Sequence, residues 1–454
     1  MTSFYTSVHR LGNSILYRGY DNGVRVKRKI PFKPTLFVRA PVKTDSDWVA
    51  LDGTPVAPIK FNSMREAKEF TEKYEDVENF SIYGNTNYIA QFIAEEFPGD
   101  IQFDRSLVRI HNIDIEVNSN LKVDENGKLT SGGSGGLPEP SVAAHIVTAI
   151  TIHDSVLDTF FVWGLGDYDV SKSLIRDRKI SYIKCVNEHA LLQCFIDFWH
   201  NEFTCPDVVT GWNIRGFDIP YLVNRIKRVC GEDTVKKLSP WGLITEKMVT
   251  MRKGQVQMYE ICGIAQLDYM DLFQKFGYSF GPQENYRLDT IADVVLGERK
   301  LDYSDQYANL AELYEKNHQL YLDYNIRDTW LVDRMEDKIA MITLCLTMSY
   351  KAGVNYGDAF GTTAIWDQLI HRFLLKDKIV VPPNKNKFKS DYDGGYVKDP
   401  QCGVHDWVCS FDVNSLYPSC IVQWNMSPET LIDDIKILSR IRILENELRK
   451  RSAQ

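Results

Sequence analysis

The sequence lacks the cysteine patterns that stabilise small secreted domains or bind structural zinc. Its 454 residues include nine cysteines, but they form no C-x-x-C pair and no His/Cys spacing typical of a zinc site. It also lacks an apolar run long enough to span a membrane, and its first residues show no signal-peptide pattern. We therefore expect a cytoplasmic protein with reduced thiols, no structural zinc and no membrane association.

An excess of positive charge is lacking as well. The 53 Lys and Arg residues are outnumbered by 61 Asp and Glu, which gives a net charge of −8. This balance argues against tight non-specific DNA binding by this chain alone, although acids elsewhere can offset local basic tracks. Two such tracks, residues 25–29 and 385–389, could contact phosphate or could be solvated surface. With 44% hydrophobic residues the composition is that of a soluble globular protein, and the length suggests about three domains.

What the sequence does contain is a strand pattern that carries two carboxylates. Apolar and polar residues alternate through residues 107–117, with Ile113 and Ile115 on one face. Asp114 and Glu116 therefore leave the strand on the opposite face. Two neighbouring acids repel each other unless a cation lies between them, and carboxylate oxygens are ligands that Mg²⁺ prefers. Taken alone, the pattern fits either a magnesium site or two solvated acids.

Two further acids stand in unusual contexts downstream. In residues 208–220 a short apolar strand runs into a turn that ends at Asp218, and Pro220 suits the first turn of a helix. Tyr324 and Asp328 are four residues apart, so in a helix they share one face.

The ordered patterns D-x-E, N-x-x-x-F-D and Y-x-x-x-D resemble the three proofreading exonuclease motifs of family B DNA polymerases. The similarity is closest to the replicative polymerases of T4-like bacteriophages and extends to about Thr430. The resemblance implies an α/β fold with an RNase H-like exonuclease domain built on a mixed sheet. It also implies removal of a 3′-terminal nucleotide with two Mg²⁺ ions, for which Mn²⁺ can substitute.

The resemblance also assigns roles to the site residues. Asp114 is expected to bridge both metals, Glu116 and Asp328 to hold the metal that activates water, and Asp218 to hold the other. Tyr324 is expected to orient the attacking water; the alternative is a tyrosine that only packs in the core.

Four residues of the exonuclease part are implied as DNA contacts. Asn213 and Phe217 belong to the second motif, although Asn213 could simply cap a turn. Residues 247–264 predict a long hairpin with Arg252 and Lys253 near its tip. In the family, a hairpin at this position helps to part the primer end from the template, whereas the alternative is a purely structural hairpin.

A later stretch resembles the connection between the nuclease and polymerase parts of the family. The sequence Y-D-G-G-Y at residues 392–396 matches the family pattern Y-x-G-G. The resemblance implies that Tyr392, Gly394 and Gly395 contact DNA.

Residues 408–419 resemble the first polymerase motif, D-x-x-S-L-Y-P. Here we predict a strand that ends at Asp412 and a helix that begins near Ser415. Asp412 would bind both polymerase metals, and Leu416 and Tyr417 would contact the incoming nucleotide.

The expected organisation is a set of four parts. They are an amino-terminal α/β domain (1–106 and 341–383), the exonuclease domain (107–340), an incomplete palm (384–430) and an amphipathic helical tail (431–454). Within the first part, an Asp-Asn-Gly turn at 21–23 predicts a hairpin, and Ser63 followed by Glu66 predicts a capped helix.

No D-T-D sequence that would supply the second palm aspartates occurs in the chain. The leading hypothesis is therefore the amino-terminal portion of a family B DNA polymerase for viral DNA replication. It would act as a 3′→5′ exonuclease on primer–template DNA and would polymerise only with a carboxy-terminal chain, through which a sliding clamp could also bind. The alternatives are a non-catalytic DNA-binding or regulatory remnant of a truncated gene, and a piece of a longer chain.

Overall fold

The computed structural model describes residues 3–41, 46–74, 77, 80–118, 122–123, 129–130, 138–251, 254–382, 394–427, 430 and 441. In these residues strands and helices are mixed, as the predicted α/β class requires. Among the helices of the described residues, none has both the length and the apolar character needed to cross a membrane.

The strands are as follows: β1 Phe4–Leu11, β2 Ser14–Asp21, β3 Val24–Pro31, β4 Thr35–Arg39, β5 Trp48–Ala50, β6 Pro55–Lys60, β7 Ile82–Tyr83, β8 Ile110–Val117, β9 Lys122–Val123, β10 Leu129–Thr130, β11 Val147–Asp154, β12 Thr159–Gly164, β13 Lys179–Lys184, β14 Val208–Thr210, β15 Ile244–Met251, β16 Gly254–Ile261, β17 Ala265–Gln266 and β18 Ile379–Val380.

The helices are as follows: α1 Met64–Tyr74, α2 Tyr88–Glu96, α3 Glu188–His200, α4 Asp218–Cys230, α5 Glu232–Val235, α6 Tyr269–Phe276, α7 Leu288–Leu296, α8 Leu310–Lys316, α9 His318–Ile339, α10 Met341–Ala352, α11 Thr362–Lys376 and α12 Leu416–Trp424.

The first three strands form an antiparallel meander. The predicted turn between β2 and β3 is confirmed: Asn22 and Gly23 both have positive φ angles, 51° and 82°, which a two-residue hairpin turn of this hand requires. The predicted cap of α1 is also confirmed, since the Glu66 backbone N–H donates to Ser63 Oγ at 3.1 Å. Both features are local, so neighbouring residues determine them.

Strands β18, β5, β6, β4 and β7 form a second sheet in that order, to which the chain returns after α11. The residues just before α11 join the meander, because the Tyr350 hydroxyl donates to the Tyr5 carbonyl at 2.7 Å and Asn355 bonds both backbone groups of Val8. The boundaries of the four expected parts stay a prediction.

A six-stranded mixed sheet, in the order β13-β12-β11-β8-β14-β17, forms the centre of the molecule. Strand β8 lies between β11, to which it is antiparallel, and β14, to which it is parallel. Ile113 and Ile115 lie in the hydrophobic core that contains the apolar residues of α3 and α4. The other face of β8, which carries Asp114 and Glu116, therefore faces α9, whose residues contact β8 and β11.

The predicted hairpin of residues 247–264 is confirmed as β15 and β16, which pair from Ile244–Ile261 to Met251–Gly254. Arg252 and Lys253 at its tip lie outside the described residues.

The strand predicted to end at Asp412 is wrong. Residues 394–413 have no regular secondary structure, and they pair with none of the strands in the described part of the chain. A strand depends on a neighbour for its backbone hydrogen bonds, whereas a helix satisfies its own. Accordingly α12 does form near Ser415 as predicted, beginning at Leu416. Tyr392 lies outside the described residues. The predicted tail of residues 431–454 also lies outside them, apart from Ile441.

Candidate metal centre and active site

Three carboxylates converge where α9 crosses β8. Asp114 and Glu116 on β8 and Asp328 on α9 each offer an oxygen atom, and these oxygens all lie within 4.8 Å of one another. Among the described residues, Asp328 Oδ1 is a buried oxygen that lacks a hydrogen-bond partner. Several hard oxygen ligands with unsatisfied lone pairs are the donor set that divalent cations such as Mg²⁺ require. The cluster can hold such a metal.

Asp218 joins this cluster from the first turn of α4, although it is not one of the three acids within 4.8 Å. Its Oδ1 accepts a hydrogen bond of 3.1 Å from the backbone N–H of Ile115, the residue between Asp114 and Glu116. This bond ties the beginning of α4 to the strand that carries the other two carboxylates.

The turn that leads to Asp218 is held by Asp268, a residue that the sequence analysis missed. Both Asp268 carboxylate oxygens accept backbone N–H bonds of 3.0 Å, one from Asn213 and the other from Arg215. Asn213 has a left-handed backbone, with φ 64°, and its carbonyl accepts from the N–H of Gly216 and Phe217. Asn213 therefore helps to form the turn, as asparagine often does. Its contact with DNA stays a prediction.

Burial and mutual repulsion oppose ionisation of the acids. Burial, then the charges of Asp218, Glu116 and Asp328, raise the pKa of Asp114 well above its usual value. Burial and the Asp328 charge raise the pKa of Glu116 to about 8, and burial raises the pKa of Asp218 to about 7. Burial also raises the pKa of Asp328, against the opposing effect of Lys300. Bringing a cation into the cluster would remove much of this repulsion.

Lys300, a second residue that the sequence analysis missed, already brings one positive charge to the cluster. Its Nζ donates to Asp328 Oδ2 at 2.5 Å and to the Tyr324 hydroxyl at 3.1 Å. Burial disfavours its charged form, but the charges of Asp328 and Asp114 raise the pKa of Lys300 above its usual value, so it stays protonated. No periodicity or motif marks this residue, which lies in a loop between α7 and α8.

Tyr324 packs in the core and also reaches the acidic cluster, whereas its role in orienting water stays a prediction. The residue is 8% exposed, and its ring packs against the ring of Tyr303 at a centroid distance of 5.4 Å. Its hydroxyl nevertheless reaches Lys300 beside the carboxylates. Burial and the Asp328 charge raise the pKa of Tyr324, so the hydroxyl keeps its proton and can donate it in a hydrogen bond.

Comparisons with known proteins agree with the motifs. The profile described as DNA polymerase family B, exonuclease domain, matches residues 130–291, and the profile described as DNA polymerase family B matches residues 360–450. The chain is 33% identical over 460 aligned residues to the DNA-directed DNA polymerase of Escherichia phage RB69, which covers 96% of this chain and 48% of that protein. The chain belongs to DNA polymerase family B.

Other members of the family show how the similarity is distributed. The DNA-directed DNA polymerase of Enterobacteria phage T4 is 31% identical over 460 residues, again 96% of this chain and 48% of that protein. The DNA polymerase delta catalytic subunit of Schizosaccharomyces pombe is 26% identical over 317 residues, 67% of this chain and 28% of that protein. The chain thus spans about half the length of the phage relatives that it matches.

The two profile matches cover the candidate residues unevenly. The exonuclease match includes Asp218 but ends before α9 and begins after β8, so the other three acids rest on motif and geometry. The second match includes Asp412 and Tyr417.

Five candidates of the polymerase part lie among the described residues. All five, Gly394, Gly395, Asp412, Leu416 and Tyr417, are exposed. Phe217, a candidate of the exonuclease part, is partly buried, and its ring centroid lies 5.5 Å from that of Tyr221. The DNA, nucleotide and metal contacts expected of these residues stay predictions.

Proposed function

We propose that this chain is a 3′→5′ exonuclease that hydrolyses the terminal phosphodiester of a DNA strand at the site of Asp114, Glu116, Asp218 and Asp328. The observation that carries the proposal is the convergence of three carboxylates from β8 and α9 within 4.8 Å of one another. The chain's place in DNA polymerase family B supports DNA as the substrate.

Two Mg²⁺ ions, or Mn²⁺ in their place, are the cofactors that this donor set favours. Asp114, Glu116 and Asp328 would hold the metal on one side of the site, and Asp218 would hold the other with Asp114. When bound, such ions make a bound water more acidic and neutralise charge on the phosphate and on the leaving 3′-oxygen.

The chain's own groups position the reactants. The Tyr324 hydroxyl, which accepts a hydrogen bond from Lys300, would orient the attacking water. The Lys300 ammonium offsets negative charge in a site that must accept an anionic phosphate. Water oxygen bonds to phosphorus and loses a proton to solvent, the bond from phosphorus to the 3′-oxygen breaks, and the released 3′-oxygen takes up a proton from solvent.

We also infer that the chain is part of a DNA polymerase for viral replication in the cytoplasm of a host cell. The match over residues 360–450 and the length of the phage relatives support this inference. Nucleotide addition would use Asp412 together with carboxylates of a further polymerase chain, which would also provide the contact with a sliding clamp. A non-catalytic DNA-binding remnant is the alternative, and the two differ in whether DNA is cut.

The test is digestion of single-stranded DNA labelled at its 5′ end. We expect stepwise shortening from the 3′ end with Mg²⁺ or Mn²⁺, and none with a chelator. Asp114→Ala combined with Glu116→Ala should abolish shortening. Asp169→Ala should leave it unchanged, because this exposed carboxylate contacts Ser171 and Lys172. Shortening that survives the double substitution would refute the assigned site.

A further inference from the structure

Two neutral side chains, outside the fixed positions of the three motifs, form a chain of hydrogen bonds that ends at Asp114. Asn325 follows Tyr324 on α9, and its Nδ2 donates to Asp114 Oδ2 at 2.5 Å. The Thr151 hydroxyl in turn donates to Asn325 Oδ1. Thr151 lies on β11 directly opposite Asp114 in the strand pairing, so these three residues from three elements form one chain of hydrogen bonds.

Both neutral residues are completely enclosed. Asn325 and Thr151 are each 0% exposed, so water does not compete for these hydrogen bonds. Enclosed polar groups that lose a partner cannot replace it with solvent, which makes each bond of the chain costly to break.

The order of donors and acceptors allows only one orientation of the amide. An ionised carboxylate accepts hydrogen bonds and cannot donate, so the amide nitrogen of Asn325 must face Asp114. Rotation of the amide would bring its oxygen against the carboxylate and would break the hydrogen bond that the Thr151 hydroxyl donates to Asn325 Oδ1, so this bond helps to hold the orientation. Thr151 therefore acts on Asp114 only through Asn325.

We propose that Thr151 and Asn325 are positioning residues that fix the orientation of the Asp114 carboxylate for metal binding. The inference rests on the proposed function, since it concerns the metal ligand of that site. A neutral amide suits this purpose because it orients the carboxylate without cancelling the negative charge that attracts the cation. Lys300 differs in this respect, because it brings a positive charge to Asp328.

Two substitutions of Thr151 separate the hydroxyl from the packing of the side chain. Thr151→Val removes the hydroxyl and keeps the shape, whereas Thr151→Ser keeps the hydroxyl and loses a methyl group. Hydrogen-bond partners of metal ligands are typically worth about 10- to 100-fold in metal affinity. We expect Thr151→Val to weaken Mn²⁺ binding by about this factor and Thr151→Ser to bind Mn²⁺ as the unaltered chain does.

The measurement is a Mn²⁺ titration of the full chain without DNA, followed by electron paramagnetic resonance of the free ion. In digestion assays, Thr151→Val should raise the Mn²⁺ concentration that gives half of the maximal rate, and should leave the KM for DNA at saturating Mn²⁺ unchanged. Thermal unfolding in a chelator checks that each variant is folded.

A third variant tests whether the two residues act in series. Asn325→Leu keeps the approximate volume and removes the amide, so it should weaken Mn²⁺ binding at least as much as Thr151→Val. Combining both substitutions should then add nothing to the effect of Asn325→Leu, because the Thr151 hydroxyl acts through the amide.

Two results would overturn the inference: equal Mn²⁺ affinity of the Thr151→Val variant and the unaltered chain, or equal weakening by Val and Ser. A chain that binds Mn²⁺ but does not cut DNA would refute the proposed function. The Mn²⁺ affinities of the Thr151→Val and Thr151→Ser variants would still test the positioning inference. Failure of the unaltered chain to bind Mn²⁺ would refute both.

Discussion

At the residue scale, the substrate proposed for the acidic cluster is itself an anion, and Lys300 brings a positive charge to that cluster. Its ammonium contacts Asp328 and the Tyr324 hydroxyl together. Lys300 therefore affects both the charge of the site and the position of the group expected to orient water.

We expect Lys300→Met to lower the rate of DNA shortening by about 100-fold, the usual effect of removing a preorganised group that stabilises charge in a reaction. Lys300→Arg, which keeps the positive charge, should lose much less. Single-turnover digestion at saturating Mg²⁺ measures both variants, and a Lys300→Met chain with the unaltered rate would contradict this role.

The raised pKa values make the stability of the metal-free chain depend on pH. An unfolded Glu has a pKa of about 4.3, whereas burial and the Asp328 charge raise the pKa of folded Glu116 to about 8. Because the folded state holds this proton more tightly, stability is lost as pH rises from about 4 to about 8. We therefore expect urea unfolding in a chelator to show a chain less stable at pH 8 than at pH 6.

Two controls test whether the acidic cluster causes this loss of stability: a substitution of Glu116, and the addition of Mg²⁺. Glu116→Gln cannot ionise and should reduce the loss of stability between pH 6 and pH 8. Added Mg²⁺ should stabilise the unaltered chain more at pH 8 than at pH 6, because metal binding requires ionised carboxylates. Equal stabilisation at both pH values would show that the cluster does not bind the metal.

The sequence revealed those site residues that lie in a periodic pattern. Asp114 and Glu116 alternate with buried isoleucines, and Tyr324 and Asp328 share a helix face, so local spacing is informative about them. Lys300, Asn325 and Asp268 could not be found in this way. Asn325 meets a residue 211 positions away, and Lys300 reaches Asp328 from a loop. Periodicity indicates which way a residue faces within its own element, and it carries no information about which element lies opposite.

At the element scale, features that depend on neighbouring residues were predicted correctly, and a feature that depends on a distant partner was not. The helix cap at Ser63 and the turn at Asn22–Gly23 depend on residues within a few positions and were predicted correctly. The strand before Asp412 depends on a partner strand and was predicted wrongly. The mixed central sheet followed from family resemblance, because its strand order joins segments far apart in sequence.

The turn before α4 provides a test at this scale, because Asp268 holds it. Its carboxylate accepts backbone N–H bonds from Asn213, Arg215 and Met270, each of 3.0 Å. Asp268→Ala should destabilise the chain by about 1–3 kcal/mol, since buried donors lose a charged acceptor. The rate of DNA shortening should fall as well, because the turn ends at Asp218.

The matched control for Asp268 is Asp271, a partly exposed acid on α6 that pairs with Arg215 at 3.0 Å. Asp271→Ala should cost only about 0–1 kcal/mol, as is usual for solvent-accessible ion pairs. Urea unfolding gives both values, and equal effects of the two substitutions would show that the turn does not depend on Asp268.

At the scale of the whole molecule, the amino-terminal meander is joined to the central sheet through a buried acid. Asp207, just before β14, is 0% exposed and accepts hydrogen bonds of 2.8 Å from Arg25 and 2.9 Å from Tyr20. It also accepts from the backbone N–H of Arg109 before β8. Arg25 thus forms an internal ion pair with Asp207. This pairing takes Arg25 out of the basic track of residues 25–29 that could contact phosphate. A hydrophobic core that includes both Phe4 and Leu331 adds to this attachment.

The segment with the first polymerase motif differs from the rest of the molecule in its exposure. Trp407, Phe411 and Tyr417 are 99%, 93% and 76% exposed, although such side chains are usually buried. Nucleotide addition with two metals also requires carboxylates besides Asp412. Both facts favour a polymerase site that forms only when further palm elements cover this segment.

The corresponding experiment mixes this chain with a separately purified carboxy-terminal half of a family B phage polymerase and measures primer extension. Extension should appear only in the mixture, because the proposal divides the palm carboxylates between the two chains. Asp412→Ala should abolish it, whereas Asp114→Ala should remove 3′-end shortening and leave extension intact, since we assign the two acids to separate sites. Extension by this chain alone would contradict the shared-site argument. Halves that associate without extension would show that Asp412 is not brought to the metals.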